Sequence, residues 1–340
     1  MDVEHFQAFL DAVEPDRGAT VLSASPVPGG YSRDTVMAEV RWADGTAEKF
    51  VLRGDPPIES SVFRSDRAAE WAVLQAVKDL PDFRIPTPRY FDATGEYMGC
   101  MCIVSEAIDS TSMQKFLDTG PDLDQAREDF VAIMASAHNT PLDSIDESIP
   151  RPAGWREHLE DVIANYERML NEIGEDDPIL RYTLKKIRMN IPPEVPMALV
   201  HGDLQPGNFL LSEGTDPYII DWEFARIGDP RLDLGYYLQI PMPPHLYHPD
   251  PEAFLDSYRR LTGLTEEQIN PAIARYFLLL GTSHLMLDIV RGTEDVTNGE
   301  HRGVMGIFLM TAYAHFHRLY LDYSLDLPYA ETTPEPEAAR

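Results

Sequence analysis

The sequence predicts an α+β fold of two lobes, a small β-rich one at the N-terminal end and a larger, mainly helical one behind it. Three observations predict this. The chain has 340 residues, more than a single core usually holds. Its first hundred residues alternate apolar and polar side chains in the strand period, whereas from Ser110 onward the apolar period is helical. Finally, 44% hydrophobic and 10% aromatic residues suffice for a sizeable core, which excludes a globally disordered chain.

The elements follow in order. Thr35 to Trp42 alternates as a strand, Ala43-Asp44-Gly45-Thr46 is a turn, and Glu48 to Arg53 returns as the second arm of a hairpin. Gly54-Asp55-Pro56-Pro57 stops that arm. Asp66 to Leu80 places Ala68, Trp71, Ala72, Leu74 and Val77 at helical spacing, and Arg89–Asp92 and Gly99–Ser105 are two further strand candidates. Helices are then expected over Leu123–His138, Gly154–Ile173, Asp177–Met189, Pro251–Leu261, Glu266–Arg291 and Gly299–Tyr323. Between them, Ala198 to Asp221 reads as an island of two strands and loops. No internal repeat is visible. The tail from Ala330 is acidic and Pro-rich, the composition of a disordered segment.

The charge sum, 28 Lys+Arg against 57 Asp+Glu for a net −29, argues against a nucleic-acid backbone or an anionic membrane as partner. It fits a self-repelling acidic surface and also permits a cationic substrate. Cys100 and Cys102, spaced to share one strand face, suit two buried thiols in a reducing cytosol better than a disulfide. The acidic start Met1-Asp2-Val3-Glu4 shows no signal peptide. Tyr276 to Val290, the longest apolar stretch, is interrupted by Gly281, Thr282, Ser283, His284 and Asp288, short of the ~20 apolar residues of a membrane span. A soluble cytoplasmic protein is expected.

Leu199 to Leu211 is the most informative stretch. An apolar strand delivers the polar loop His201-Gly202-Asp203-Leu204-Gln205-Pro206-Gly207-Asn208, and a second apolar strand leaves it. Downstream, Tyr218-Ile219-Ile220 ends in Asp221-Trp222-Glu223, two carboxylates at the end of a buried-looking run. Such carboxylates are costly unless they hold a metal or a partner. Phosphoryl transfer needs an Asp to take the proton of an attacking hydroxyl, plus oxygen ligands for Mg²⁺ on the nucleotide phosphates. Asp203 suits the first role, and Asn208 with Asp221 the second, a sparse oxygen set of the kind Mg²⁺ prefers.

His-Gly-Asp-(x)4-Asn, then Ile-Asp-Trp-Glu, then Gly228-Asp229-Pro230-Arg231-Leu232-Asp233-Leu234, resembles the aminoglycoside phosphotransferase family. The resemblance runs in order from about residue 18 to about residue 290. It implies a bilobal protein-kinase-like fold, ATP and Mg²⁺ as cofactors, and a small-molecule hydroxyl as acceptor. Carried over by position, Asp203 is the catalytic base and Asn208 and Asp221 are the Mg²⁺ ligands. His201 props the loop by hydrogen bonds, and Asp233 resembles the family's loop-anchoring aspartate. Glu223 either reaches the metal through water or hydrogen-bonds the loop. Asp229-Pro230 looks like a helix cap with its first-turn proline, and His138, in Ala137-His138-Asn139, packs against the catalytic loop.

The same resemblance places the nucleotide between the lobes. Pro28-Gly29-Gly30-Tyr31-Ser32 stands where the family covers the phosphates with backbone N–H groups, although Gly-Gly between strands is also an ordinary turn. It is not a Walker P-loop. A cation on the third strand should face the phosphates and pair with a helix Glu. Arg53 and Glu70 take those places, with Lys49, on the same strand face nearer the turn, as the rival cation. Arg in place of the usual Lys resembles the branch akin to the kinase-like domain of acyl-CoA dehydrogenase family member ten, and Arg is not equivalent to Lys. Ile103 to Ile108, with Glu106 and Ile108, would be the adenine-binding hinge or an ordinary strand end.

The expected division is therefore residues 1–106 as the nucleotide-binding lobe, 107–329 as the helical lobe with the catalytic loop and acceptor pocket, and 330–340 as the tail. The acceptor pocket should draw on the segment from His245 and on the two last helices, with Asp288, Glu294, Asp295, Tyr276, Phe277, Met286, Phe308 and Tyr313. Asp288 could meet a substrate amine, pair with Arg291 or sit on a solvated face. An aminoglycoside-like cationic alcohol, a macrolide and a hydroxyacyl thioester all stay open. Rival readings are a metal-dependent hydrolase using His201, Asp203, Asp221 and Glu223, and a nucleotide-binding regulator that has lost catalysis.

Overall fold

The computed structural model describes residues 1–27, 34–55, 66–119, 123–173, 177–213, 217–239, 251–297, 303–324 and 327. Gly29, Gly30, Tyr31 and Ser32 of the expected phosphate loop, His245 and the tail from Ala330 lie outside these residues. So do the side chains of Glu294, Asp295 and Phe308.

The N-terminal lobe is a five-stranded antiparallel sheet in the order β1-β2-β3-β5-β4. β1 covers Thr20–Pro26, β2 Asp34–Arg41 and β3 Ala47–Gly54; β4 is Pro88–Asp92 and β5 Cys102–Glu106. β2 and β3 form the expected hairpin, with Thr35 opposite Arg53 and Arg41 opposite Ala47. The strand period splits β3 cleanly. Phe50 and Leu52 are buried on one face, while Val51 and Arg53 project from the other toward the interlobe cleft. Lys49 shares the cleft-side parity but is exposed, so Arg53 is the cation the sheet delivers.

The face opposite the cleft needs a cover, and the sequence reading assigned none. It is supplied by α1, Val3–Val13, capped by Asp2, whose side chain accepts from His5 N–H. Its Phe6, Phe9 and Leu10 are buried with Val36, Val40, Phe50 and Leu52. Each such side chain contributes about 1.5–3 kcal/mol when fully buried. On the cleft side lies α2, Arg67–Val77, slightly shorter than expected and capped by Asp66, which accepts from Ala68 and Ala69 N–H. Cys102 opens β5, but Cys100 precedes the strand and is only partly buried, so the two thiols do not share a strand face; both are free.

Beyond the sheet the chain is mainly helical. β6 (Thr111–Ser112) leads into α3 (Met113–Thr119), followed by α4 (Leu123–Asn139), α5 (Trp155–Ile173) and α6 (Pro178–Met189). The island from Ala198 to Asp221 holds three strands rather than the expected two, β7 (Ala198–Val200), β8 (Phe209–Leu211) and β9 (Tyr218–Ile219), and β10 (Arg226–Gly228) follows it; they pair as β10-β7 and as a β6-β8-β9 sheet. α7 (Arg231–Gln239), α8 (Pro251–Thr262), α9 (Pro271–Thr297) and α10 (Gly303–Ser324) complete the lobe. α9 starts later than expected, because residues 265–269 form a turn that ends in the Asn270 cap, whose Oδ1 accepts from Ala272 and Ile273 N–H.

α9 decides the core of this lobe. Phe277, Leu279, Leu280, Met286 and Leu287 are buried along it together with Leu159, Leu184 and Tyr320. Gly235 lets α7 lie against it, since a Cβ there would stand 2.2 Å from the Phe277 carbonyl carbon. Pro271–Arg291 is long and apolar enough to cross a membrane by length and composition, beyond the sequence expectation, but 72% of its most apolar window is buried inside the protein, as in a core helix.

Candidate active site

The geometry of the Asp203 loop begins with backbone. Gly202 has φ +87, and a Cβ there would stand 2.6 Å from Phe224 Cβ, so only glycine fits the turn after β7. The next residue, Asp203, points its carboxylate into the cleft and is held at both oxygens. Asn208 Nδ2 donates to Oδ2 at 2.8 Å and Gln205 Nε2 to Oδ1 at 3.0 Å. Asn208 Nδ2 also donates to the Asp203 carbonyl at 2.8 Å, which leaves its Oδ1 for another partner. Gln205 escaped the sequence reading although it sits two residues from Asp203.

Asp233 anchors this loop from α7. Its Oδ2 accepts from His201 N–H at 2.8 Å and its Oδ1 from Gly202 N–H at 2.7 Å. His138 of α4 reaches the same Oδ2 at 3.0 Å and meets the Tyr258 hydroxyl at 2.7 Å. Burial alone would raise the Asp233 pKa, but the His138 hydrogen bond and charge, with His201, hold it below the usual carboxylate range. His201 is fully committed: Nδ1 accepts from Asp203 N–H at 3.2 Å and Nε2 donates to the Ile220 carbonyl at 2.9 Å. Burial holds His201 below its ordinary pKa, in keeping with that neutral tautomer. Both ring nitrogens being used, His201 is not free to ligate a metal.

Across the cleft Asp221 follows β9 with φ +72, the one non-glycine residue in the left-handed region among those described. Its Oδ1 accepts from Arg53 Nη2 at 2.6 Å. Arg53 Nη1 is 3.6 Å from Glu70 Oε1, so one guanidinium joins β3, α2 and the Asp221 loop. Burial disfavours the Arg53 charge, but Asp221 and Glu70 outweigh it and raise its pKa. Glu70 is pushed up by burial and held back by Arg53 and Arg67. Arg67, 0% exposed, ties Glu70 Oε2 to Asp55 Oδ1, the latter at 3.2 Å. The sequence reading missed Arg67; its position three residues before Glu70 on one helix was the available signal.

Asp203, Gln205, Asn208, Asp221, Arg53 and Glu70 line one cleft of about 780 Å³. Val51, Ile103, Leu210 and Ile219 give it apolar walls above and below. Glu106 and Ile108 line its back; the Glu106 carboxylate is spent on Thr87, accepting from N–H and hydroxyl at 2.9 Å each. Glu223 lines the cleft beside Asp221, and its charge acts on Arg53 and Glu70. Asp288 does not line it: it is buried and paired with Arg291.

The donor set suits Mg²⁺. Asn208 Oδ1 and the Asp221 carboxylate are two hard oxygens facing a cleft with room for phosphates and water. No group of three or more His, Cys, Asp or Glu could hold a metal among the described residues, and with His201 committed the hydrolase reading loses its ligand set.

A family model described as a phosphotransferase enzyme family matches residues 23–275. Acyl-CoA dehydrogenase family member 11 of Gallus gallus is 23% identical over 234 residues, which cover 66% of this chain and 29% of that protein. The chain spans 19–36% of the length of the curated relatives it matches. A candidate aminoglycoside phosphotransferase of Ralstonia eutropha superposes with a TM-score of 0.69 at 15% identity, over 96% of this chain and 99% of that one. Choline kinase LicA of Streptococcus pneumoniae does so with a TM-score of 0.61 at 17% identity, over 94% and 98%. At these identities the likeness establishes the shared kinase-like fold.

Proposed function

The chain belongs to the phosphotransferase enzyme family, and on that premise we propose that it is an ATP- and Mg²⁺-dependent O-phosphotransferase acting on a hydroxyl of a small molecule. The observation that carries this reading is the Asp203 carboxylate, oriented by Asn208 and Gln205 on the same cleft that holds the Arg53–Asp221–Glu70 cluster. One wall offers a proton acceptor and the other a cation for phosphate.

Asp203 takes the proton of the acceptor hydroxyl as its oxygen bonds to the γ-phosphorus; the bond to the β-phosphate oxygen breaks and ADP leaves. Asn208 Oδ1 and Asp221 would hold Mg²⁺, which when bound neutralises charge on the β- and γ-phosphates. Arg53, kept in place by Glu70 and Arg67, would face the phosphates. Val51, Ile103, Leu210 and Ile219 would receive adenine, with Glu106 and Ile108 as the hinge. Residues 1–106 then act as the nucleotide lobe and 107–329 carry catalysis and acceptor. The free thiols and acidic charge support a cytoplasmic location.

The experiment is ADP release with Mg·ATP against a panel of hydroxyl compounds, with Asp203→Asn as the control. The amide cannot accept the proton, so turnover is expected to fall about 10²–10⁴-fold. Unchanged phosphorylation of the acceptor by the variant would remove Asp203 as the base.

A further inference from the structure

The same cleft is also lined by Tyr166 of α5, Phe224, Arg226 of β10, and Gly281, His284 and Leu285 of α9. Tyr166 and Phe224 both lie beside the His284 ring. Arg226 pairs with Val200 in the β10–β7 ladder, and Phe224 packs directly on Gly202, so this part of the cleft adjoins the Asp203 loop.

Arg226 is the unusual member. Other arginines around the cleft and the buried core have carboxylate partners: Arg53 with Asp221, Arg67 with Glu70, Arg231 with Asp229, Arg291 with Asp288. Arg226 makes one hydrogen bond among the described residues, Nη1 to the Phe224 carbonyl at 3.0 Å, and no ion pair there. A permanent cation, partly withdrawn from water in a chain of net charge −29, has no such shortage of carboxylates to choose from. Its charge is felt by Tyr166, His158 and His284 around it. Burial, with help from Arg226 and Arg291 and against Asp288, keeps His284 below its usual pKa, so it adds no second charge near neutrality. Asp288, the carboxylate one helical turn from His284, is already bound to Arg291. Glu223 lines the same cleft, and its negative charge acts on Arg53.

Resting on the phosphotransferase reading above, we propose that the acceptor is a small hydroxy acid whose hydroxyl meets Asp203 and whose carboxylate is bound by Arg226. Phe224 and Leu285 receive the short hydrocarbon between the two groups. An amino alcohol would bring its cation against Arg226, whereas a carboxylate supplies the counter-charge that none of the described residues provides.

The test compares a series of short-chain hydroxy acids with their methyl esters and with the matching amino alcohols, by ADP release and by calorimetric titration without nucleotide. The acids are expected to bind and turn over, and the esters and amino alcohols much less. Arg226→Gln should raise the Kd and KM for the acid about 10- to 100-fold with the KM for ATP unchanged, and Arg226→Lys should recover part of the loss. Acids that do not bind, amino alcohols that are the better acceptors, or a folded Arg226→Gln enzyme with an unchanged KM would each overturn the subsite. If Arg226→Gln does not fold, the acid-against-ester comparison in the unaltered protein still decides. Acids that bind through Arg226 while no compound is phosphorylated would keep the subsite and sink the phosphotransferase reading. Phosphorylation of amino alcohols alone would do the reverse.

Discussion

Arg53 Nη2 stands 2.6 Å from Asp221 Oδ1, although 168 residues separate them in the chain. The contact closes the cleft between a strand of the N-terminal sheet and the loop after β9, with Glu70 backing the guanidinium from α2. It sets the expected metal ligand and the expected phosphate cation against each other, so on the proposed reading Mg·ATP would redistribute this pair.

Arg53→Lys keeps a charge but cannot reach Glu70 and Asp221 with two arms of a planar fork. The expected result is a rise of about tenfold in the KM for ATP, and a loss of about 100-fold or more in kcat/KM for Arg53→Met, the scale of a charge-assisted hydrogen bond. Steady-state ADP release reads both. Unaltered nucleotide kinetics in Arg53→Met would take Arg53 out of the phosphate site.

Asp233 accepts the N–H groups of His201 and Gly202 and a ring nitrogen of His138, all buried or nearly so. Asp233→Ala leaves those donors without an acceptor and is expected to cost about 3–5 kcal/mol. Asp233→Asn, which retains one carbonyl oxygen, should cost less. Urea denaturation measures the difference, and equal stabilities would show that the loop is anchored elsewhere.

Gly202→Ala should damage activity more than stability. The left-handed φ of +87 costs an alanine about 1–2 kcal/mol. The larger effect is local, because the new methyl group would stand 2.6 Å from Phe224 Cβ and 2.8 Å from its carbonyl oxygen. Displacing Asp203 by about 1 Å can cost on the order of 10² in rate. A variant that retains wild-type turnover would show that the loop tolerates the shift.

His317 on α10 and Asp177, the cap of α6, meet at 2.7 Å. Burial opposes both charges, yet the hydrogen bond and mutual attraction raise the His317 pKa above 6.5 and lower that of Asp177 below 3.8. A raised histidine contributes fully below its unfolded pKa and loses that contribution as pH climbs through the folded value. A lowered aspartate contributes above its unfolded pKa and loses it as pH falls through the folded value. The pair therefore stabilises most between about pH 4 and 6.5, and its contribution falls as pH rises above that window. His317→Gln should remove this downward slope from melting temperatures taken between pH 6 and 8; an identical slope in the variant would exclude the pair as its source.

Much of the cleft was legible in the sequence because the chemistry is local there. Asp203 and Asn208 lie five residues apart and bond directly, so a motif spaced along one loop describes its own geometry. Alternation put Arg53 and Lys49 on one strand face, and distance from the turn, which left Lys49 exposed, told them apart. α1 was not read, because a single short amphipathic helix beside a strand-rich region carries little period of its own until a sheet face needs covering. Arg226 was not read either: one cation in a three-residue strand has no pattern around it.

By itself, then, the sequence determined the two-lobed class, the order of its parts and the residue types available for chemistry, because strand and helix periods and short polar loops are properties of neighbouring residues. Only the tertiary structure decided that Arg53 meets Asp221, which backbone groups Asp233 accepts from, that Asp288 is spent on Arg291, and that Arg226 lines the cleft without a carboxylate partner among the described residues. Most of those contacts join segments far apart in the chain, and even the short Asp288–Arg291 pair matters through what it withholds from the cleft. Which charges find partners is set by how the sheet and α9 pack, and that packing is a property of the whole chain.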